Sequence, residues 1–170
     1  MSKKRWITTK EMLIFSMLGT IIFLSDILME GLPNIHGVAM FCALFTLMYR
    51  TKALIPIYVY VLLNGLYAGF ALWWVPYLYI WTILWAFIMI IPKNATDKTR
   101  FILCTALCSL HGLLFGILYA PLQAIMFGLN FNGMITWILA GIPFDILHLI
   151  GNFVVSFLII PLYKALKKFI

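Results

Sequence analysis

Residues 141–152 read GIPFDILHLIGN, and three polar side chains interrupt an otherwise apolar run there. The three are Asp145, His148 and Asn152, separated by three and four positions. At 3.6 residues per turn, this spacing places all three on one side of a single helix. The stretch therefore predicts an apolar helix with one polar stripe, and the neighbours of that stripe decide its role.

The composition of the whole chain indicates that this helix belongs to a membrane protein. Hydrophobic residues make up 65% of the 170 residues and charged residues 10%, and the mean hydropathy is +1.07. These values exceed what a water-soluble core of this length needs. At about 20 residues per crossing, the chain has room for one domain of about six spanning helices and none for a separate soluble catalytic domain.

Apolar runs between charged or turn-rich breaks predict an all-α integral membrane protein, a bundle of six transmembrane helices in a single domain over residues 1–170. The predicted spans are 12–29, 35–49, 53–71, 75–92, 101–121 and 142–163. Residues 122–141 contain Asn130, Asn132 and Gly133 before an apolar segment. We predict an outer loop with a short surface or re-entrant helix there, or alternatively the top of a longer sixth helix.

Proline 143 bears on the start of the sixth span. Proline suits an early helical position because its missing N–H has no helical partner there in any case. Asp145 is therefore expected in the first turn of the span, where the helix dipole favours a negative charge. In the alternative of a longer sixth helix, Pro143 breaks that helix.

The basic residues test the layout independently, because the spans were chosen from apolar runs and not from the sign of charge. All twelve Lys and Arg residues precede span one, follow span six, or lie between spans two and three or four and five. The positive-inside rule therefore predicts that both termini are cytoplasmic. The net charge of +7 then follows from topology and anionic headgroups, and no nucleic acid partner is needed.

Polar and aromatic residues toward the outer side form a candidate ligand site. A charged side chain at membrane depth is costly unless it faces protein, water or a partner, so its presence suggests a function. Aromatic rings can stack on a flat organic ligand while a few polar groups fix its orientation. The candidate substrate-binding residues are Asp145, His148, Asn152, Glu30, Asn34, His36, Trp73, Trp74, Tyr77, Trp81 and Asn130.

Structural roles are the alternatives for several of these residues. Asp145 could cap its own helix, and Asn152 could bond a neighbouring helix. Trp73 and Trp81 could belong to an aromatic belt at the lipid interface. His111 is expected to be a packed interhelical hydrogen-bonding group. The three cysteines are expected to be small buried hydrophobes without a metal: Cys42, Cys104 and Cys108.

Three segments resemble the substrate-binding membrane subunits, or S components, of energy-coupling factor (ECF) vitamin transporters. They are LPNIH (32–36), ALIPIYVYVLLNGLYAGFALWWVPYLYIW (53–81) and GIPFDILHLIGNF (141–153). The resemblance covers nearly the whole chain in size, six-helix layout and the PFD-x-x-H-x-x-x-N pattern. It implies the cell membrane of a bacterium or archaeon and capture of a vitamin or related micronutrient near the outer face. It also implies delivery by toppling on a transmembrane coupling subunit that works with two cytoplasmic ABC ATPases.

The resemblance also implies a docking surface on the first helix. In that family, small residues spaced by four contact the coupling subunit, and the nearest match here is Ser16 and Thr20, with Gly19 between them. The chain contains no GxxxxGK[ST] nucleotide-binding signature. We therefore expect ATP to be used by the partner ATPases, and no cofactor, metal or catalytic residue in this chain.

Two other classes of protein stay open on the sequence alone. A self-sufficient secondary transporter could use Asp26, Glu30 or Asp145 as a proton site, although no inverted repeat is evident. An intramembrane enzyme could use Asp145 and His148 as an acid–base pair, although no nucleophile elbow, HExxH motif or carboxylate cluster accompanies them. In each case, aromatic rings and acids without bases suit a neutral or weakly cationic heteroaromatic ligand and disfavour a nucleotide.

Overall fold

The computed structural model describes residues 6–32 and 34–168, and helix accounts for 81% of the structure. No strand occurs in these described residues, so the all-α class is confirmed. Eight α-helices follow one another: α1 (Thr9–Leu28), α2 (Val38–Tyr49), α3 (Leu54–Ala68), α4 (Tyr77–Met89), α5 (Asp97–Leu113), α6 (Phe115–Phe127), α7 (Phe131–Ser156) and α8 (Ile159–Lys167). Short 3-10 turns at Arg50–Ala53 and Leu72–Trp74 precede α3 and α4.

Five helical segments of the described chain are long and apolar enough to cross a membrane. They are Thr9–Leu28, Val38–Ala68, Leu72–Met89, Asp97–Phe127 and Phe131–Lys167. The second of these segments joins α2 and α3 through the 3-10 turn. Since α2 has 12 residues and is about 18 Å long, it is shorter than the roughly 30 Å hydrocarbon core of a bilayer. Whether α2 and α3 cross the membrane separately, which would give six crossings in total, therefore stays a prediction.

Helix α2 runs antiparallel to α1. The ring of Phe15, early in α1, packs edge to face against Tyr49 at the end of α2, with 5.1 Å between the ring centroids. At the other end of the pair, Gly37 lies against Ser25 of α1. Arg50, which has a φ of 54°, then turns the chain from α2 toward α3.

Helix α3 returns parallel to α1. Lys52, just before α3, pairs with Glu11 near the start of α1 at 2.6 Å. Asn64, which lies twelve residues after Lys52 and within α3, donates to Asp26 near the end of α1. Gly19 lies between these two contacts, and a Cβ there would be 2.5 Å from the Cβ of Val59, so α1 and α3 approach closely because of this glycine.

Opposite charges collect at opposite ends of the bundle. Lys52 pairs with Glu11, while Arg100 and Lys164 both pair with Asp97, at 3.0 and 3.1 Å. Arg50 and Arg100 link these groups by donating to the backbone carbonyls of Ile91 and Lys93. We name this the basic end. The opposite end, which we name the acidic end, holds three acidic residues: Asp26, Glu30 and Asp145.

Helices α5 and α7 form the most extensive helix pair in the structure. Gly112 of α5 allows this close contact, since a Cβ there would be 2.8 Å from the carbonyl oxygen of His148. Gly116 does the same for α6 and α7, since a Cβ there would meet the carboxylate of Asp145. The polar stripe of α7 therefore faces a row of small residues on α5 and α6. This agrees with the general use of glycine where two apolar helices pack closely.

The predicted outer loop over 122–141 is wrong in most of its length. Helix α6 continues to Phe127 and α7 begins at Phe131, which leaves three residues between them. The alternative of a longer final helix agrees with the structure, but Pro143 lies inside α7 and does not break it. Proline is tolerated in apolar helices because only one backbone hydrogen bond is lost and neighbouring groups compensate. Asp145 consequently lies in the interior of α7 and not in its first turn.

Candidate functional site

Asp145 binds the N-terminus of a neighbouring helix. The backbone N–H of Gly116 donates to Asp145 Oδ1 at 3.0 Å, and Asp145 is only 6% exposed. Gly116 is the second residue of α6, so its N–H has no partner within its own helix. The dipole of α6 therefore stabilises the carboxylate, in place of the dipole of its own helix that the sequence led us to expect.

His148, one turn further along α7, contacts a second histidine. Its Nε2 lies 2.9 Å from Nε2 of His36, in the connection between α1 and α2. One ring must donate and the other accept, so this contact requires at least one neutral imidazole. The Nδ1 atom of His36 is buried without a hydrogen-bond partner among the described residues. The pair ties the first connection of the acidic end to α7.

Asn152 completes the stripe but has a closed environment. Its Nδ2 donates to the carbonyl oxygen of Cys108 at 3.0 Å, and the side chain is 3% exposed. It does not line any of the three depressions described below. Asn152 therefore acts as a bond between α5 and α7, which is the structural alternative considered for it.

Three adjoining depressions open at the acidic end, and we name them together the acidic cup. A pocket of about 270 Å³ lies between α6 and α7, and one of about 290 Å³ lies between α1 and α3. A cleft of about 180 Å³ adjoins both, since it shares His148 and Asn34 with the first, and Asp26 and Tyr77 with the second. No Lys or Arg lines any of the three within the described chain.

The α1–α3 part of the acidic cup is organised around Asp26. Its Oδ2 accepts hydrogen bonds from Tyr60 Oη and Asn64 Nδ2, both at 3.0 Å. Both donors are neutral, so the negative charge of the carboxylate has no cationic partner among the described residues. Tyr77 and Trp73 provide aromatic wall beside this carboxylate. A positively charged or hydrogen-bond-donating group of a ligand would be favoured here.

The α6–α7 part of the acidic cup has aromatic walls. Tyr119 and Trp137 stack with 5.9 Å between their centroids and 18° between their planes, and Phe115 lies 4.7 Å from the His148 ring. Asp145 and His148 are the polar groups at its base. Phe115, Tyr119 and Trp137 were not predicted from the sequence because, within apolar runs, nothing distinguishes a ring that lines a pocket from one that faces lipid.

A buried aromatic cluster supports the floor of the acidic cup. Trp81 is 2% exposed, and its ring lies 6.0 Å or less from the rings of five neighbours. One of these is His111, which is 1% exposed and within 3.1 Å of the Ile80 carbonyl oxygen, as expected for an interhelical hydrogen-bonding group. The three cysteines are buried, as expected, and none of them forms a disulfide. The described residues contain no cluster of three or more metal-ligating side chains.

The structure brings together seven of the eleven predicted ligand residues. Those lining the acidic cup are Glu30, Asn34, His36, Trp73, Tyr77, Asp145 and His148. Four others have structural contacts instead. Trp74 donates to the Val61 carbonyl oxygen at 2.7 Å, and Asn130 caps α7 by accepting from the Gly133 N–H at 2.8 Å. Trp81 belongs to the buried cluster and Asn152 to the α5–α7 contact.

The three predicted docking residues on α1 divide between two surfaces. Ser16 and Thr20 are exposed, and their hydroxyls donate to α1 carbonyl oxygens four residues earlier. Gly19 is buried against Val59 and Pro56 of α3, so it serves packing within the chain. The outward face of α1 therefore presents Ser16 and Thr20 without Gly19.

Comparisons with protein-family models, with curated proteins and with solved structures give no match. The class of the protein accordingly rests on its own fold and site. It is an all-helical protein with helices apolar enough to span a membrane, which is compatible with a multi-pass membrane protein. At one end of the bundle it carries a polar, aromatic cup lined by acids and histidines.

Proposed function

We propose that the chain is the substrate-binding subunit, or S component, of an ECF-type ABC importer. In this proposal it captures a vitamin-like micronutrient in the acidic cup and delivers it by toppling on a coupling subunit driven by two ABC ATPases. The observation that carries the proposal is the acidic cup itself. It is a group of adjoining depressions with a few fixed polar groups and aromatic walls, of the kind that holds small organic ligands.

The charges of the acidic cup support a neutral or weakly cationic heteroaromatic ligand. Asp26, Glu30 and Asp145 border the cavity, and the described lining has no Lys or Arg. A phosphorylated ligand would be repelled there, whereas an amine or protonated ring nitrogen would gain a charge-assisted hydrogen bond. Tyr77 and Trp73 offer faces on which an aromatic ring can stack.

We further propose six crossings with the basic end in the cytoplasm. The helix directions support this arrangement, because the chain reverses between α1 and α2 and again between α2 and α3, inside the apolar segment Val38–Ala68. A cysteine at Asn132, which is exposed beyond the acidic cup, should react with an impermeant maleimide from outside the cell. A cysteine at Asn94, exposed at the basic end, should react only after permeabilisation. The opposite labelling would reject the orientation.

The outward face of α1 is the proposed docking surface for the coupling subunit. Replacing Thr20 with Leu adds bulk to that face and should lower transport while leaving ligand affinity unchanged. Thr136 is the matched control, since it is also exposed and its hydroxyl also bonds a carbonyl oxygen four residues earlier. If Thr136→Leu lowers transport as much as Thr20→Leu, the docking assignment loses its support.

Affinity purification followed by transport assays tests the function as a whole. A tagged chain, purified from its native host in mild detergent, should retain a coupling subunit and two ABC ATPases, and uptake should require ATP. Uptake by proteoliposomes that contain this chain alone, driven by a proton gradient, would instead favour a secondary transporter. Chemical conversion of the bound molecule by the purified chain would favour an enzyme.

A further inference from the structure

The basic end contains a second cavity, well separated from the acidic cup. It measures about 400 Å³ and lies between the start of α5 and helix α8. Three lysines and one carboxylate line it together with the ring of Tyr163: Lys164, Lys167, Lys168 and Asp97. This excess of positive charge at the level where α8 leaves the apolar bundle suits an anionic group of a membrane lipid.

Asp97 forms an ion pair with only one of the three lysines that line the cavity. Lys164 and Arg100 both pair with its carboxylate, at 3.1 and 3.0 Å. Lys167 and Lys168 form no ion pair with any described carboxylate, and both are exposed. The cavity therefore has two cations whose charge is not neutralised by the described residues.

Tyr163 fixes the wall of the cavity. Arg100 lies over its ring at 5.0 Å from the centroid, and Lys167 lies at 5.8 Å. Tyr163 is 9% exposed and belongs with Ile159 and Ile160 to the buried core, so these three residues anchor α8 to the bundle. The basic groups are consequently held around a defined concave surface by a buried aromatic residue.

An apolar surface continues from this cavity toward the middle of the bundle. Phe157 precedes α8, is 49% exposed, and packs against Phe101 one turn from Asp97. Phe153, which is 46% exposed, extends the same surface, with its ring centroid 5.3 Å from that of Phe157. The basic cavity matches the phosphate of a phospholipid headgroup, and the exposed apolar strip beside it matches the acyl chains of the same molecule.

We infer that this cavity binds an anionic glycerophospholipid, with its phosphate against Lys167 and Lys168 and its acyl chains along Phe157. The inference rests on residence in a membrane but not on the transported ligand. It can therefore hold or fail separately from the proposed import function.

Native mass spectrometry of the purified chain, titrated with phosphatidylglycerol or phosphatidylcholine of identical acyl chains, tests the site. The wild type should retain phosphatidylglycerol several-fold more tightly. The double variant Lys167→Gln/Lys168→Gln should weaken phosphatidylglycerol binding by about 5- to 30-fold, since each basic residue near a headgroup changes affinity by up to about fivefold. Phosphatidylcholine binding should change little.

Two further variants keep the result interpretable. Lys93→Gln/Lys98→Gln removes the same charge from exposed positions of the same end but outside the cavity, and it should retain tight phosphatidylglycerol binding. Lys167→Arg/Lys168→Arg keeps the charge and should also retain it. Equal weakening by both Gln pairs would mean diffuse attraction only, and equal affinity of the wild type for both lipids would overturn the inference. Displacement of the lipid by millimolar inorganic phosphate would assign the cavity to a free anion instead.

Discussion

The two halves of the polar stripe on α7 differ in what lies opposite them. Asn152 is enclosed and bonds the Cys108 carbonyl oxygen, whereas Asp145 and His148 bond neighbours and also border the acidic cup. All three are at least nine-tenths buried, so burial alone does not separate packing from binding. The difference comes from the opposite helix, where the chain bends between α5 and α6 and a pocket opens beside Gly116. Perturbing each half of the stripe should therefore affect different properties.

The largest effect on stability is expected from filling the space at Gly112, which lies opposite Asn152. Gly112→Val would place a Cβ 2.8 Å from both Asn152 Nδ2 and the His148 carbonyl oxygen, which is closer than van der Waals contact, and overpacking of this kind costs about 3 kcal/mol. Unfolding in detergent, followed by circular dichroism, should show that loss. Gly141→Ala is the control, because a Cβ there meets nothing within 4 Å. Equal stability of the two variants would mean that α5 and α7 are not closely packed at Gly112.

The next effect concerns the open half and ligand affinity. Asp145→Asn keeps an oxygen for the Gly116 N–H but removes the charge, and His148→Ala removes one ring of the histidine pair. Each should weaken binding by about 1–3 kcal/mol, or roughly 5- to 150-fold. Titration calorimetry with the small molecule released from denatured wild-type protein measures this. Unchanged affinity in both variants would exclude α7 from the binding site.

A smaller effect is expected at Asn152. Replacing Asn152 with Ala removes one interhelical hydrogen bond, which is worth about 0.6 kcal/mol on average in a membrane and at most about 1.7 kcal/mol. The free energy of unfolding should fall by about that amount, while the affinity measured by the same calorimetry should not change. A loss of affinity equal to that of Asp145→Asn would show that the two halves of the stripe act as one site.

The smallest effect is expected at Asn130, which caps α7 at an exposed position. Asn130→Ala should lower the free energy of unfolding by about 0.5 kcal/mol, the lower limit for loss of a helix cap. Asn130→Asp, which retains a capping oxygen, should restore the stability. Neither variant should change ligand affinity, since Asn130 does not line the acidic cup. A tenfold loss of ligand affinity in Asn130→Ala would contradict this assignment and show that Asn130 contributes to ligand binding.

Helix class and the polar face of α7 could be predicted from the sequence, because apolar content and 3.6-residue spacing are local properties. The extent of α6 and α7 could not be predicted from the sequence. Asn130, Asn132 and Gly133 favour a loop in water, yet the last two lie inside α7, because only a three-residue turn is needed for two helices to pack in antiparallel directions.

Site residues show the same limit on prediction. Spacing indicated that Asp145 and His148 share a face, but their partners, Gly116 and His36, are 29 and 112 residues away in the chain. Asn64 and Tyr60 looked like ordinary members of an apolar span until the fold placed both of them on Asp26. Pairings of this kind depend on helix packing, which no local pattern encodes.

Native mass spectrometry of the chain purified without added ligand tests the central claim that the acidic cup binds a small molecule. The wild type and Asn152→Ala should each carry one small molecule of the same mass, and Asp145→Asn and His148→Ala should carry much less of it. The mass would also identify the ligand class. A wild-type protein that carries no small molecule when grown in rich medium, or equal retention in all four proteins, would contradict the claim.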